Sequence, residues 1–160
     1  QGGDVGYVGE VAVEDVDGQR IDARIAGDLV PGLATMGAEA FSEEESPMLN
    51  VNADEAAGPI AAAAQADELL FLSDVEGVKG DGGELLSVLD PQQTQALIDS
   101  GVIAGGMIPK VRAALAALDD GVPSVRIASG QVEDPIRTAL AGGGTRFVTM
   151  DAATDRGERP

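Results

Sequence analysis

The apolar and polar positions along the chain fall into short segments of two alternating periods. Residues 5–16, "VGYVGEVAVEDV", alternate at the period of a strand, "DGQ" at 17–19 supplies a turn, and "RIDARIAGDL" at 20–29 reads as a short helix. "VPGLATMGA" at 30–38 predicts a buried strand, followed by an exposed loop or hairpin over "EAFSEEESPMLNV". Residues 53–66 carry a helical pattern with Pro59 in its interior, where the ring lacks a donor and collides with the preceding turn, so a kink is expected. "ELLFLSD" at 68–74 is a continuous apolar run closing on polar residues. That is the pattern of a parallel strand buried on both faces, with its C-terminal end at a functional edge. The Gly-rich loop "VEGVKGDGGE" follows.

Further along, "LLSVLDPQQTQALIDSG" predicts a brief strand and then a helix, with Asp90 as its cap, Pro91 at its first position and Gly101 at its stop. "GGMIPKVRAALAALDDG" predicts a second helix, in which Pro109 lies early enough to be tolerated and Gly121 marks the end. "VPSVRIAS", "EDPIRTALAGG" and "GTRFVTM" complete the pattern as strand, helix and strand. Helices alternating with apolar strands predict an α/β fold, a three-layer α/β/α sandwich with a mostly parallel central sheet and ligands at the strand C-termini. Residues 1–150 are expected to form one domain, and 151–160, "DAATDRGERP", a polar tail.

Composition narrows the chemistry. Cysteine and histidine are both absent, which excludes disulfides, thiolate or imidazole metal sites, and every Ser-His or Cys-His nucleophile. No metal site built from protein ligands is expected. Aromatic residues make up 2% and the net charge is −18, so the core must be aliphatic and neither nucleic acid nor an anionic membrane is an expected partner. The sequence contains no apolar run long enough to span a bilayer and no basic region leading into an apolar core at its start, which makes a cytoplasmic location the expectation. Of the 10 basic residues only Lys79 and Lys110 are lysines, against 28 acidic ones. An acidic, lysine-poor surface of this kind resembles proteins of salt-rich, halophilic cytoplasm, where ions screen self-repulsion.

Three stretches carry candidate chemistry. "SPMLNVNADEAAGPIAAAA" at 46–64 sets Asn50, Asn52 and Asp54 two apart at a helix start, although one such side chain suffices as a cap. "LSDVEGV" at 72–78 offers a hydroxyl, a carboxylate and a glycine at a strand end, groups that serve turn geometry as readily as a nucleotide. "GGMIPKV" at 105–111 combines two glycines, a helix start and Lys110 about one turn in, which suits a phosphate. Neither GxxxxGK[ST] nor GxGxxG occurs.

Taken together and in order, "LNVNAD", "LLFLSDVEGV", "GVIAGGMIPKV" and "GGGTRF", with "GYVGEV" near the start, resemble the C-terminal half of the acetylglutamate kinases, of the amino acid kinase family. The resemblance runs from Val5 to about Val148. It implies ATP-dependent phosphorylation of the side-chain carboxylate of N-acetyl-L-glutamate to an acyl phosphate, in arginine biosynthesis. By the same resemblance Lys110 stabilises the transferring phosphoryl group, Asp54 orients the catalytic lysines, Asn50 contacts the acetylated amino acid and Asn52 supports the site or caps the helix. Ser73, Asp74, Val75, Glu76, Gly77, Val78 and Lys79, with Val102, Ile103, Ala104 and Met107, line the ATP site, and Mg²⁺ enters through the nucleotide phosphates.

The resemblance also carries departures. The family's N-terminal half, with early Gly-rich loops, a second catalytic lysine and an arginine for the substrate carboxylate, has no counterpart before Gln1. The chain is therefore expected to be a fragment, inactive by itself, of a protein that is a homo-oligomer at full length. "VPGLATMG" replaces a more uniformly β-branched strand, and "IASGQVEDPIRTALAGGGTRF" is closer to kinases acting on carrier-linked glutamate or aminoadipate. Two alternatives thus accompany the main reading: a carrier-linked kinase, and a non-catalytic nucleotide-binding module of the same fold.

Overall fold

The structure, a computed structural model, describes residues 9–38 and 48–149. Residues 5–8 of the first expected strand, most of the acidic loop and the polar tail lie outside them. The main sheet has the order β3-β5-β6-β4, formed by β3 (Leu69–Ser73), β5 (Val125–Ser129), β6 (Thr145–Phe147) and β4 (Val88–Leu89). The pairs β3/β5 and β4/β6 are parallel and β5/β6 is antiparallel, so the sheet is mostly parallel as expected. Helices flank it, giving the α/β layering.

The register explains which side chains meet. Leu69, Val125, Phe147 and Leu89 stand in one cross-strand row, and Phe71, Ile127 and Thr145 in the next. Because alternate residues of a strand share a face, these rows form one apolar surface, against which the helix α4 (Met107–Asp119) buries Val111, Ala114, Ala117 and Leu118. Alanines at these positions let α4 lie close. The helix α2 (Ala53–Ala63) packs beside α4, with Gly58 against Ala117. The polar pair on the strands' N-terminal side is satisfied: Arg126 Nε donates to Glu68 Oε1 at 3.0 Å and its Nη1 to the Gly143 carbonyl at 3.1 Å.

Local signals hold where they are strong. The helix α3 (Pro91–Asp99) starts in a capping box, in which Asp90 Oδ1 accepts from the Gln93 N–H at 2.7 Å and Gln93 Oε1 from the Asp90 N–H at 3.1 Å. The short helix α5 (Pro135–Leu140) is likewise capped by Asp134. The helix α2 runs from Ala53 to Ala63 with Pro59 buried in its interior.

Three expectations near the start are corrected. Within 9–16 there is no strand; Val13–Asp15 forms a 3-10 turn instead, closed by the Ala12 N–H donating to Asp15 Oδ2 at 3.0 Å. A short acidic side chain has here outcompeted sheet pairing for the backbone donor. The helix α1 (Gly18–Ile25) then begins inside the segment read as a turn, because Asp17 caps it through the Arg20 N–H. The strand expected over 30–38 shrinks to β1 (Met36–Ala38), paired antiparallel with β2 (Met48–Asn50) in a separate two-stranded sheet. Pro31 offers no ladder donor and Gly32 no side chain to pack, so pairing starts only beyond them, and Val30 is left 98% exposed.

Charge bears on stability. Against a net charge of −18, the exposed ion pairs Arg20–Asp17, Lys79–Glu76 and Arg137–Asp134 neutralise little. The melting temperature is therefore expected to climb between dilute buffer and molar KCl, at roughly 2–4 °C for each kcal/mol of repulsion relieved. A salt-independent melt would show that the acidity does not strain this fold.

Candidate functional site

The parallel strands β3 and β5 end together, Ser73 opposite Ser129, and the chain leaves that edge through the loop 74–79. Ser73 Oγ donates to Asp74 Oδ1 at 2.9 Å, holding the first carboxylate of the loop against the strand end. Loop and strand edge border a cavity of about 630 Å³ lined by residues 74–79, 102–104 and Met107. Every residue that the sequence assigned to the nucleotide, other than Ser73, thus lies around one space. Ile103, 2% exposed, fixes the far wall by donating its N–H to the Leu97 carbonyl at 3.0 Å. Lys79 lies on the rim with its side chain 56% exposed and paired with the still more exposed Glu76 at 3.4 Å.

The two glycines before α4 leave the helix entrance open. Gly105 adopts φ +58, a conformation that disfavours L side chains, while a Cβ at either Gly105 or Gly106 would meet open space. The N–H groups of Met107 and Ile108 donate to the carbonyls of Ala104 and Gly105, and Pro109 has no N–H. Two first-turn donors are thereby engaged, and the helix entrance contributes its dipole and Lys110.

Lys110, in the first turn of α4, meets Asp54, in the first turn of α2, at 3.5 Å between Nζ and Oδ2, with side chains 30% and 33% exposed. Asp54 is set there by Asn52, whose Oδ1 caps α2 through the Asp54 N–H at 3.0 Å. Two of the three polar residues at 50–54 are thereby accounted for: Asn52 shapes the helix start, and Asp54 holds the lysine. Asn50 ends β2, opposite Met36 in the register, with its side chain exposed, and lines neither the 74–79 cavity nor the one beside this pair.

A second cavity, about 430 Å³, opens beside this pair and is lined by Asn52, Asp54, Glu55 and Arg112 among others. Arg112 is the cation that sequence reasoning passed over; its position two residues after Lys110 on a helix of known start was the available signal. The largest cavity, about 810 Å³, lies elsewhere, between α1, the segment 29–37 and β2. Exposed apolar side chains such as Leu29, Val30 and Leu33 line it, and it does not include the loop 74–79. Among the described residues no group of three or more Asp or Glu side chains gathers to hold a metal ion, and no helix is long and apolar enough to cross a membrane.

Residues 6–129 match the sequence profile of the amino acid kinase family. The acetylglutamate kinase of Ruegeria pomeroyi is 45% identical over 137 residues, covering 86% of this chain and 46% of that protein. That of Aquifex aeolicus is 42% identical over 133 residues, covering 83% of this chain and 43% of its own length. The chain thus spans a little under half the length of these relatives. Among solved structures, smu.665 from Streptococcus mutans superposes with a TM-score of 0.70 at 32% identity, covering 89% of this chain and 51% of that one.

Proposed function

Because this chain belongs to the amino acid kinase family, we propose that it is the ATP-binding half of an acetylglutamate kinase. Such an enzyme joins a side-chain carboxylate oxygen of N-acetyl-L-glutamate to the γ-phosphorus of ATP while the bond to the β–γ bridging oxygen breaks. ADP leaves with the electron pair, and no proton has to move. Catalysis of that step asks chiefly for in-line positioning and for positive charge beside the equatorial oxygens.

The observation that carries the reading is the Lys110–Asp54 pair, one helical turn from Met107 on the wall of the 74–79 cavity. The lysine supplies the charge. Asp54 keeps its ammonium from swinging into solvent, and Asn52 keeps Asp54 at the helix start. Asn50 is assigned to the acetylated amino acid, and the loop 74–79 with 102–104 to the nucleotide. Mg²⁺ fits this donor set as a passenger on the phosphates, whose charge it neutralises when bound, since no cluster of carboxylates gathers among the described residues. The remaining substrate contacts belong to the other half of a protein of the relatives' length. The kinship with acetylglutamate kinases favours the small substrate over a carrier-linked one.

The isolated chain is expected to bind ATP·Mg²⁺ in titration calorimetry, yet to turn over acetylglutamate far more slowly than about 1 s⁻¹, the lower end of ordinary enzyme rates. Turnover at that rate or above by the purified chain would refute the half-site reading. Absence of nucleotide binding at millimolar ATP would refute the assignment of the cavity.

A further inference from the structure

The motif "GGGTRF" has so far been given no task, and its threonine is among the most buried polar residues of the molecule. Thr145 opens β6, is 0% exposed, and stands in the apolar row beside Ile127 rather than on a solvated face. A hydroxyl in that setting needs a partner. It finds one 67 positions away: the N–H of Val78, itself 1% exposed, donates to Thr145 Oγ1 at 2.8 Å. The Val78 carbonyl accepts from the Leu86 N–H at 2.9 Å, so Val78 is held from two sides, and its donor depends on the threonine.

The neighbouring glycines make this contact sterically feasible. Gly77 has φ +146, and a Cβ there would lie 2.7 Å from Thr145 Oγ1 and 2.9 Å from the Thr145 nitrogen. Gly144 has φ +84, and a Cβ there would run into the Ile127 carbonyl oxygen. Both glycines let backbone approach backbone where a side chain would force β6 and the loop apart.

We infer that Thr145 is the positioning residue of the nucleotide loop: it acts through the Val78 N–H to hold residues 74–79 in the shape that receives ATP, without touching the nucleotide. The inference rests on the cavity being the ATP site. The loop is otherwise fixed by the strand end, by the bridge between Lys79 and Leu85, and by the core packing of Val75 and Val78, while the Val78 N–H has Thr145 as its partner. Ordering it beforehand removes a conformational cost from binding.

The test compares Thr145→Val, which keeps the shape and removes the acceptor, with Thr145→Ser, which restores the hydroxyl, in the 160-residue chain. Calorimetric affinity for ATP·Mg²⁺ is expected to fall about tenfold or more in the valine variant and to recover to within about threefold in the serine variant, as leaving a buried donor unpaired implies. Amide exchange without nucleotide should quicken at Gly77 and Val78 while the amides of Ala114 to Leu118 in α4 stay protected, a pattern that general destabilisation does not produce. Wild-type affinity in the valine variant, or a serine variant as weak as the valine one, overturns the inference. If the valine variant does not fold, Gly77→Ala strikes the same contact from the loop side and must weaken binding. Should the wild-type chain bind no ATP, the ATP-site reading fails, and exchange at Val78 alone decides: unchanged protection there in the valine variant would dismiss Thr145 as the anchor.

Discussion

Replacing Lys110 by alanine in the full-length enzyme is expected to lower kcat roughly 10²–10³-fold, the usual cost of deleting a donor aimed at developing charge, with a much smaller change in the KM for ATP. The asymmetry follows from its task. A charge that interacts more strongly with the transition state than with bound ATP changes kcat, whereas a uniform binding contact changes KM. The internal control is Lys79→Ala. Lys79 is the only other lysine of the chain, lines the 74–79 cavity, and is paired with the exposed Glu76, so its loss should change activity less than about twofold. Steady-state kinetics of the two variants separate the kinase reading from the non-catalytic module, in which neither lysine matters to turnover. Equal activity of the two variants would remove Lys110 from the phosphoryl-transfer machinery.

The contrast between these lysines was partly legible in the sequence. "GGMIPK" announces a helix start with a lysine one turn in, and α4 does begin at Met107, because the helical run that follows is long and alanine-rich. "ELLFLSD" likewise reads as β3, but the expected burial on both faces is not found: among the described residues β3 ends the sheet order and Leu72 is exposed, while Phe71 faces the core. Asp90 and Pro91 specified the start of α3 to the residue, a signal confined to one turn. What could not be read is whatever depends on a distant partner. The alternation in "VGEVAVEDV" fits a strand, but Asp15 captures a backbone donor locally, and among the described residues 9–16 only Gly9 reaches a strand, donating its N–H to the Asn50 carbonyl of β2. "VPGLATMGA" has strand composition, yet Pro31 and Gly32 delay pairing until Met36.

The site shows the same division. Asn50, Asn52 and Asp54 stood out as more than a cap requires, and the helix does use Asn52 as its cap while Asp54 reaches Lys110, 56 positions away. Neither that pairing nor the one between Thr145 and Val78 leaves a periodic trace in the sequence, because it arises only when α2 is laid on α4 and β6 on β5. The small residues that permit such approaches, Gly58, Ala114 and Ala117, look in the sequence like ordinary helix formers or breakers.

Those small residues yield the last expectation. A Cβ at Gly58 would sit 3.1 Å from Ala117 Cβ and 3.2 Å from its Cα, so α2 and α4 already touch backbone to backbone at that point. Gly58→Ala asks the seam to give by a few tenths of an ångström and gains helix propensity in return, leaving activity of the full-length enzyme within a few-fold. Gly58→Leu cannot be absorbed that way. Overpacking of a tight seam costs about 1–3 kcal/mol and moves backbone, and the parts moved are the two helices that bring Asp54 to Lys110. Displacement of a reactive group by about 1 Å is worth on the order of 10² in rate, so kcat of the leucine variant is expected to fall about a hundredfold. The loop 74–79 is anchored by Thr145 and not by this seam, so ATP affinity should stay close to wild type. That split distinguishes a displaced Asp54–Lys110 pair from partial unfolding, which lowers the folded fraction and with it both quantities together. A leucine variant with normal kcat would mean that the distance between α2 and α4 does not set the geometry of the reaction.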